Sequence, residues 1–394
     1  MKVRSQKPAH WNYGLELKAL RKKDLLRKLT CVESSDPPYV VVDGHTYINF
    51  SSNDYLGLSV HKDIVKAASA AMKKYGFGSG ASRLLSGTLP PHKELEERTA
   101  GFKKTGAALL FNSGYAANTG IIPALVGKGC VIFSDELNHA SIIDGARLSG
   151  ADVKIYRHRD ADHLGSLLKK CSGTASVKRR LVITDTVFSM DGDIAPLKDI
   201  AMLSDKFGVM LMVDDAHATG VLGKTGRGAL EHFSIRPDSI IQMGTFSKAL
   251  GCFGAFAAGE KGLIGLLINR ARSFMYSTAL PPAVAAAAAE AIDIVEHRST
   301  GTRKRLWKNR QRLSDGLKAL GFDTLGSETP IVPVLVGTAD AALKVSKYLR
   351  RSGIFAPAIR PPTVPEGKCR IRFSVTAAHR HEDIDLVLEC MRRI

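Results

Sequence analysis

The chain predicts an α/β protein with a mainly parallel central sheet, helices on both its faces and a smaller C-terminal α/β domain. Three observations carry this. Short apolar runs alternate with segments of helical period, the pattern of a largely parallel sheet. Several of those runs, such as 209–213, read as buried strands. The length, 394 residues, exceeds the size at which one core keeps growing, so more than one unit is expected.

In chain order, an amphipathic basic helix is expected over 11–29, packed on some other element. Helical patterns at 61–75 and 93–102 precede the first strand. Strands then fall at 107–111, 130–134, 153–156, 180–185, 209–213, 239–243 and 255–258, with helices between them, including 115–125 and 197–207. From about residue 283 an alanine-rich helix leads into a second region. That region has strands near 331–336 and 370–374 and helices at 342–351 and 383–391. The corresponding division is a small N-terminal segment over 1–50, a large domain over 51–282 and a small domain over 283–394.

Composition narrows the function. With 44% hydrophobic and 24% charged residues the chain resembles an ordinary soluble protein. Its six cysteines are scattered with no CxxC pair, which points to free thiols in a reducing compartment. No apolar run approaches the roughly 20 residues needed to span a bilayer. The first ten residues are basic without a hydrophobic stretch behind them, unlike a secretory signal. The cytoplasm is therefore expected. A net charge of +18 raises the question of nucleic acid. The basic residues are dispersed, however, over 18–28, 169–180 and 303–312, and no helix-turn-helix, RNP or zinc pattern accompanies them. The alternatives are a solvated basic face or attraction of a polyanionic substrate.

The segments with most chemistry are Val213-Asp214-Asp215-Ala216-His217 and Thr245-Phe246-Ser247-Lys248. An acid ending one buried strand and a lysine just past the next suit pyridoxal phosphate. The lysine must lose its proton, which an apolar setting favours, and the acid must keep a pyridine nitrogen protonated. The competing reading is a loop start and a solvated lysine. Asn112-Ser113-Gly114-Tyr115 follows a strand and opens a helix, a natural phosphate cradle, though many strand-to-helix turns look alike. Gly76-Phe77-Gly78-Ser79-Gly80-Ala81 fits G-x-G-x-x-A, but a helix precedes it, so the dinucleotide reading is rejected for a glycine-bearing loop. His139 and His217 follow strand ends, where either ring could meet an aromatic cofactor. His379 and His381 read as the start of a surface helix. No His or Cys spacing suggests a metal.

The segments Asn49-Phe50-Ser51-Ser52-Asn53-Asp54-Tyr55-Leu56-Gly57-Leu58, Val187-Phe188-Ser189-Met190-Asp191-Gly192-Asp193 and Ala358-Ile359-Arg360-Pro361-Pro362-Thr363-Val364-Pro365 add a resemblance. With the Asp214 segment, they make the chain resemble the α-oxoamine synthase family of fold-type I pyridoxal phosphate enzymes over about 47–387. The resemblance implies that Lys248 bonds the cofactor, pyridoxal 5'-phosphate, and that Asp214 pairs with its ring nitrogen. His217 would bond the ring oxygen and His139 would stack on the ring, with Ser189 lining the same pocket. Ser113, Gly114, Tyr115 and Thr245 would hold the phosphate. Ser277 and Thr278 would reach it from a partner subunit, which implies a homodimer.

Arg360 would bind a substrate carboxylate and Arg27 the acyl substrate, with Asn53 and Thr363 also on the substrate side. The 358–365 segment implies a particular reaction, the decarboxylative condensation of L-alanine with a pimeloyl thioester of coenzyme A or acyl carrier protein in biotin synthesis. Lys248 would remove the Cα proton. The alternatives are a synthase using glycine or serine with another acyl chain, or a basic binding protein on a degenerate enzyme scaffold.

Overall fold

The structure, a computed structural model, describes residues 12–173 and 177–394. The ten residues read as lacking a secretory signal, Trp11 at the start of the expected first helix, and 174–176 of one basic stretch lie outside the described residues.

Seven strands form the central sheet: β1 (Ala107–Phe111), β2 (Val131–Asp135), β3 (Asp152–Tyr156), β4 (Arg180–Asp185), β5 (Met210–Asp214), β6 (Ile240–Thr245) and β7 (Ala255–Gly259). All seven lie within two residues of their expected bounds. Their order is β1-β7-β6-β5-β4-β2-β3. β7 runs antiparallel to both its neighbours; the pairings from β6 through β3 are all parallel. Residues of β2, β6 and β7 are buried without alternation, because helices cover both faces of the sheet. One apolar layer gathers Phe133, Val182, Val213 and Phe256; the other gathers Ile121, Ile132, Ile183 and Met212. Ala255 pairs with both Phe111 and Thr245, which brings the ends of β1 and β6 level.

On one face, Lys62–Tyr75 and Pro90–Lys103 pack on the alanine-rich helix Pro282–Asp293, whose Ala285, Ala288 and Ala291 are wholly buried. Small side chains let these helices approach closely. That helix continues through one π turn, Ile294–Arg298, into Thr300–Ala319.

The second region holds an antiparallel three-stranded sheet in which Cys369–Ser374 lies between Ile331–Gly337 and Ala358–Ile359. The N-terminal strands Ser34–Asp36, Tyr39–Val42 and His45–Asn49, too short and polar to stand out in the sequence, join this region. His45–Asn49 pairs in parallel with Ile354–Phe355. Phe50 meets Phe373 edge-on at 5.8 Å in the shared core with Val332, Leu313 and Ile371.

Two expectations change. The first helix spans only Tyr13–Lys22, since Asp24 at φ 55° ends it, and it buries no residue. His379 is not a surface group: its ring stacks on Phe50 at 4.1 Å, and burial pushes its pKa down to about 4. Among the described residues no helix is long and apolar enough to cross a membrane.

Candidate active site

In an open parallel sheet, ligand sites form beyond the carboxyl ends of the strands. Here β4 and β5 each end in a buried acid, and the register sets Asp185 directly beside Asp214. Two carboxylates side by side in the interior cannot both ionise easily. Burial, then the charge of Asp214, raises the Asp185 pKa well above its usual range. Asp214 is raised by burial as well, opposed by Lys248. Asp214 has fixed donors: Asn118 Nδ2 to Oδ2 at 2.8 Å and the Ala216 amide to Oδ1 at 3.0 Å. Its neighbour Asp215 faces away, where Lys103 Nζ donates to it at 2.7 Å and Thr186 Oγ1 at 2.8 Å. The Asp-Asp pair thus splits into one acid for the cavity and one for the frame.

Lys248 sits in the turn after β6 and lines the same cavity as Asp214, Asp185, His139, His217 and Thr245. Burial lowers its pKa against the pull of Asp214 and Asp185. The turn closes with the Gly251 amide donating to the Lys248 carbonyl at 2.8 Å. Gly251 has φ +66°, and a Cβ there would lie 2.4 Å from the Ser59 amide nitrogen. That neighbour is backbone and cannot swing aside. Gly251→Ala is therefore expected to destabilise the protein by roughly 2–4 kcal/mol, read as a lower melting temperature. An unchanged melting curve would contradict the crowding.

Both histidines are held neutral. His139 caps the helix Ala140–Ser149, and its own amide donates to Asp185 at 2.7 Å. Asn118 donates to Ser141 Oγ at 2.8 Å, so the Ser141 hydroxyl donates onward to His139 Nδ1 at 2.7 Å. Nδ1 is thus an acceptor and the proton sits on Nε2; burial lowers the ring's pKa. His217 is more deeply enclosed, and burial, then Lys248, drives its pKa well below the usual value. Its Nδ1 lies 2.8 Å from the Tyr55 hydroxyl.

Ser113 caps the helix Gly114–Leu125, its Oγ accepting from the Ala116 amide at 3.1 Å. The first amides of a helix have no partner within it and face whatever lies beyond, which here is the cavity lined by Gly114 and Tyr115. A Cβ on Gly114 would come within 2.9 Å of Thr245 Cγ2, so a side chain would fill the cradle. The Tyr115 hydroxyl donates to Asp144 at 2.5 Å.

The remaining expected residues fall into groups. Asn53 Oδ1 accepts from Arg372 Nη2 at 3.1 Å, and the Ser189 carbonyl accepts from Arg372 Nε at 2.6 Å. Arg372 is close enough to depress the pKa values of Lys248 and His217. Arg27 and Arg360 meet each other instead: Arg27 donates to the Arg360 and Pro361 carbonyls at 3.2 and 2.9 Å, and Arg360 donates to the Asp24 carbonyl. Thr363 is exposed on the same loop, its amide bonded to the Arg360 carbonyl. These three do not line the Lys248 cavity. Ser277 and Thr278 also lie outside it, with the Thr278 carbonyl held by Asn112 Nδ2 at 3.0 Å.

Sequence reasoning missed Asp185, Asn118, Tyr55 and Arg372. Asp185 carries the same signal as Asp214, an acid closing an apolar strand. Arg370 and Arg372 alternate with Cys369, Ile371 and Phe373 in a fully buried strand, a basic face that an ordinary solvated strand would not bury. Asn118 and Tyr55 carry no comparable pattern.

Residues 45–390 match the family described as aminotransferase class I and II. The chain is 51% identical over 380 residues to an 8-amino-7-oxononanoate synthase of Geobacter sulfurreducens, covering 96% of each chain. To the synthase of that name from Thermoanaerobacter pseudethanolicus it is 50% identical, covering 96% of this chain and 95% of the other. The chain belongs to the pyridoxal phosphate-dependent 8-amino-7-oxononanoate synthases. Among solved structures, that of an 8-amino-7-oxononanoate synthase from Francisella tularensis is 30% identical, with a TM-score of 0.75, covering 88% of this chain and 97% of that one. A serine palmitoyltransferase from S. paucimobilis, solved with a bound PLP–myriocin aldimine, is 32% identical with a TM-score of 0.91, covering 97% and 96%. The central sheet and smaller sheet are those of the fold-type I transferases.

The residues present fit pyridoxal phosphate. The buried Asp214 carboxylate suits a cationic ring N–H. A glycine-lined helix start suits a phosphate, and a partly buried lysine of lowered pKa lines the same cavity.

Proposed function

We propose that this chain condenses L-alanine with a pimeloyl thioester, carried on coenzyme A or an acyl carrier protein, to give 8-amino-7-oxononanoate, CO2 and free thiol. It does so in the cytoplasm as a homodimer. The observation carrying this reading is the single cavity shared by Lys248, Asp214, His139 and His217, in a chain about half identical to synthases of that name.

Bound in this cavity, pyridoxal phosphate supplies the electron sink that stabilises charge at the amino acid's Cα. The chain's own groups do the rest. Ser113, Gly114, Tyr115 and Thr245 hold the phosphate at the helix start. Asp214, whose ionised form is favoured by Lys248 and by the donors on both its oxygens, would keep a proton on the ring nitrogen. Asp185 has its pKa raised by burial and by the charge of Asp214 beside it, so the two acids compete for ionisation in the cavity. His139, neutral, would pack against the ring, and His217 would bond the ring oxygen. Lys248, its ammonium disfavoured by burial, would hold the cofactor and would serve as the base for the Cα proton.

Arg372, near enough for its charge to depress the Lys248 pKa, adds a planar cation for the amino acid's carboxylate. Arg360 binds a substrate carboxylate, with Arg27 and Thr363 beside it on the acyl side. Ser277 and Thr278, beside the exposed Tyr276, serve the partner subunit's phosphate in this homodimer.

A spectral titration tests the reading. Added pyridoxal phosphate should give a visible band that borohydride fixes on Lys248, and L-alanine should perturb it more than glycine or L-serine. With pimeloyl-CoA, CO2 should be released. A response confined to L-serine would favour a second reading, a serine-using synthase, which the 0.91 TM-score with serine palmitoyltransferase recommends for testing.

A further inference from the structure

Away from the cavity, His158 lies between two buried acids. Its Nδ1 is 3.0 Å from Asp135 Oδ1 and its Nε2 is 2.7 Å from Asp193 Oδ2. Carboxylate oxygens accept and do not donate, so both ring nitrogens are protonated and His158 is a cation. Burial lowers its pKa, but the hydrogen bonds and charges of Asp135 and Asp193 outweigh it and lift the value to about 9. The ring also stands edge-on to Phe188 at 4.4 Å. The only other charged side chain on Asp193 among the described residues is Arg159, at 3.3 Å.

Phe188 and Asp193 are the two ends of a tight loop. The Phe188 amide donates to the Asp193 carbonyl at 3.1 Å, the Gly192 amide to the Phe188 carbonyl at 2.8 Å, and Val187 bridges Ile194. His158 therefore grips both ends of the loop at once. Next to Phe188 the Ser189 carbonyl accepts from Arg372 Nε, while at the loop's apex the Met190 carbonyl and Asp191 hold Arg370. Asp135 closes β2, so the clamp anchors the loop to the central sheet, while Arg372 belongs to the smaller one.

We propose that His158 is a positioning residue for the amino acid's carboxylate: its double ion pair fixes the 187–194 loop, and the loop fixes the guanidinium of Arg372. This rests on the function proposed above and goes further, naming a residue remote from the cofactor that sets amino-acid affinity. A loosened loop would let the guanidinium lose its bidentate geometry, which a displacement of about 1 Å suffices to do.

The experiment compares holoenzymes of the wild type, His158→Gln, Arg372→Lys and the double variant. KM for L-alanine, KM for pimeloyl-CoA and kcat are measured, with the visible cofactor band recorded. His158→Gln should raise KM for L-alanine about tenfold, leaving the band and KM for pimeloyl-CoA unchanged. On the Arg372→Lys background the same substitution should raise it less than twofold. Equal losses on both backgrounds, or no change in KM for L-alanine, would overturn the proposal. Should His158→Gln fail to hold cofactor, Asp193→Asn replaces it and must show the same coupling to Arg372. A wild-type holoenzyme responding to no amino acid would instead sink the functional reading, and this proposal with it.

Discussion

Lys248→Ala is expected to abolish turnover, with a loss of more than about 10^4-fold, because in the proposed mechanism one side chain both carries the cofactor and moves the substrate proton. No neighbour can substitute. His139 has its Nδ1 committed to Ser141, and His217 has its Nδ1 against the Tyr55 hydroxyl, so neither ring is free to act as a base of matching reach. The cofactor itself should still bind, since the cradle at Ser113–Tyr115 and the acid at Asp214 do not involve the lysine. Borohydride should then fix nothing on the chain, while dialysis removes cofactor that the wild type retains. Turnover within tenfold of the wild type would contradict the role given to Lys248.

The second largest loss is expected for Asp214→Asn, roughly 10^2- to 10^3-fold in kcat, the scale of removing one buried electrostatic partner of a reacting group. Asparagine keeps the volume but has one side-chain oxygen, so it can accept from Asn118 or from the Ala216 amide but not from both, and a small loss of stability accompanies the kinetic effect. What disappears is the negative charge that keeps a ring nitrogen protonated. The sign of a second effect follows. Asp214 raises the pKa of Lys248, so its removal should shift the pH titration of the visible band to lower pH. Asp214 also raises the pKa of Asp185, so in the variant Asp185 should ionise more readily and recover part of the lost field. Asp185→Asn in addition to Asp214→Asn should therefore cost more than either alone. An unmoved titration in Asp214→Asn would show that the two groups are not coupled.

Much of this was legible in the chain, for definable reasons. Strands buried on both faces are unbroken apolar runs, so β1 to β7 stood out, as did Asp214 and Lys248 just beyond two of them. The cradle at Ser113–Tyr115 was legible because a strand, a glycine and a helix start follow in order. The short N-terminal strands were not, since a strand of three to five partly exposed residues shows no period. His379 looked like a surface histidine because it precedes a helix, and only the distant Phe50 makes it a core ring. Arg372 escaped for a similar reason: its significance lies in Asn53 and Ser189, which are remote in sequence. Motif resemblance supplied Arg360 and Arg27, whose contact with each other no local pattern would have shown.

The pairing of His45–Asn49 with Ile354–Phe355 has a consequence for biogenesis. On the ribosome this hairpin emerges early and must wait for roughly 300 more residues before its edge is covered. The central sheet can meanwhile assemble from consecutive strands. The smaller sheet, and with it the strand bearing Arg372, is then the last part to close. Premature termination before Ile354 would thus leave a formed cofactor cavity beside an uncovered strand edge, a species prone to aggregate and a natural client for chaperones.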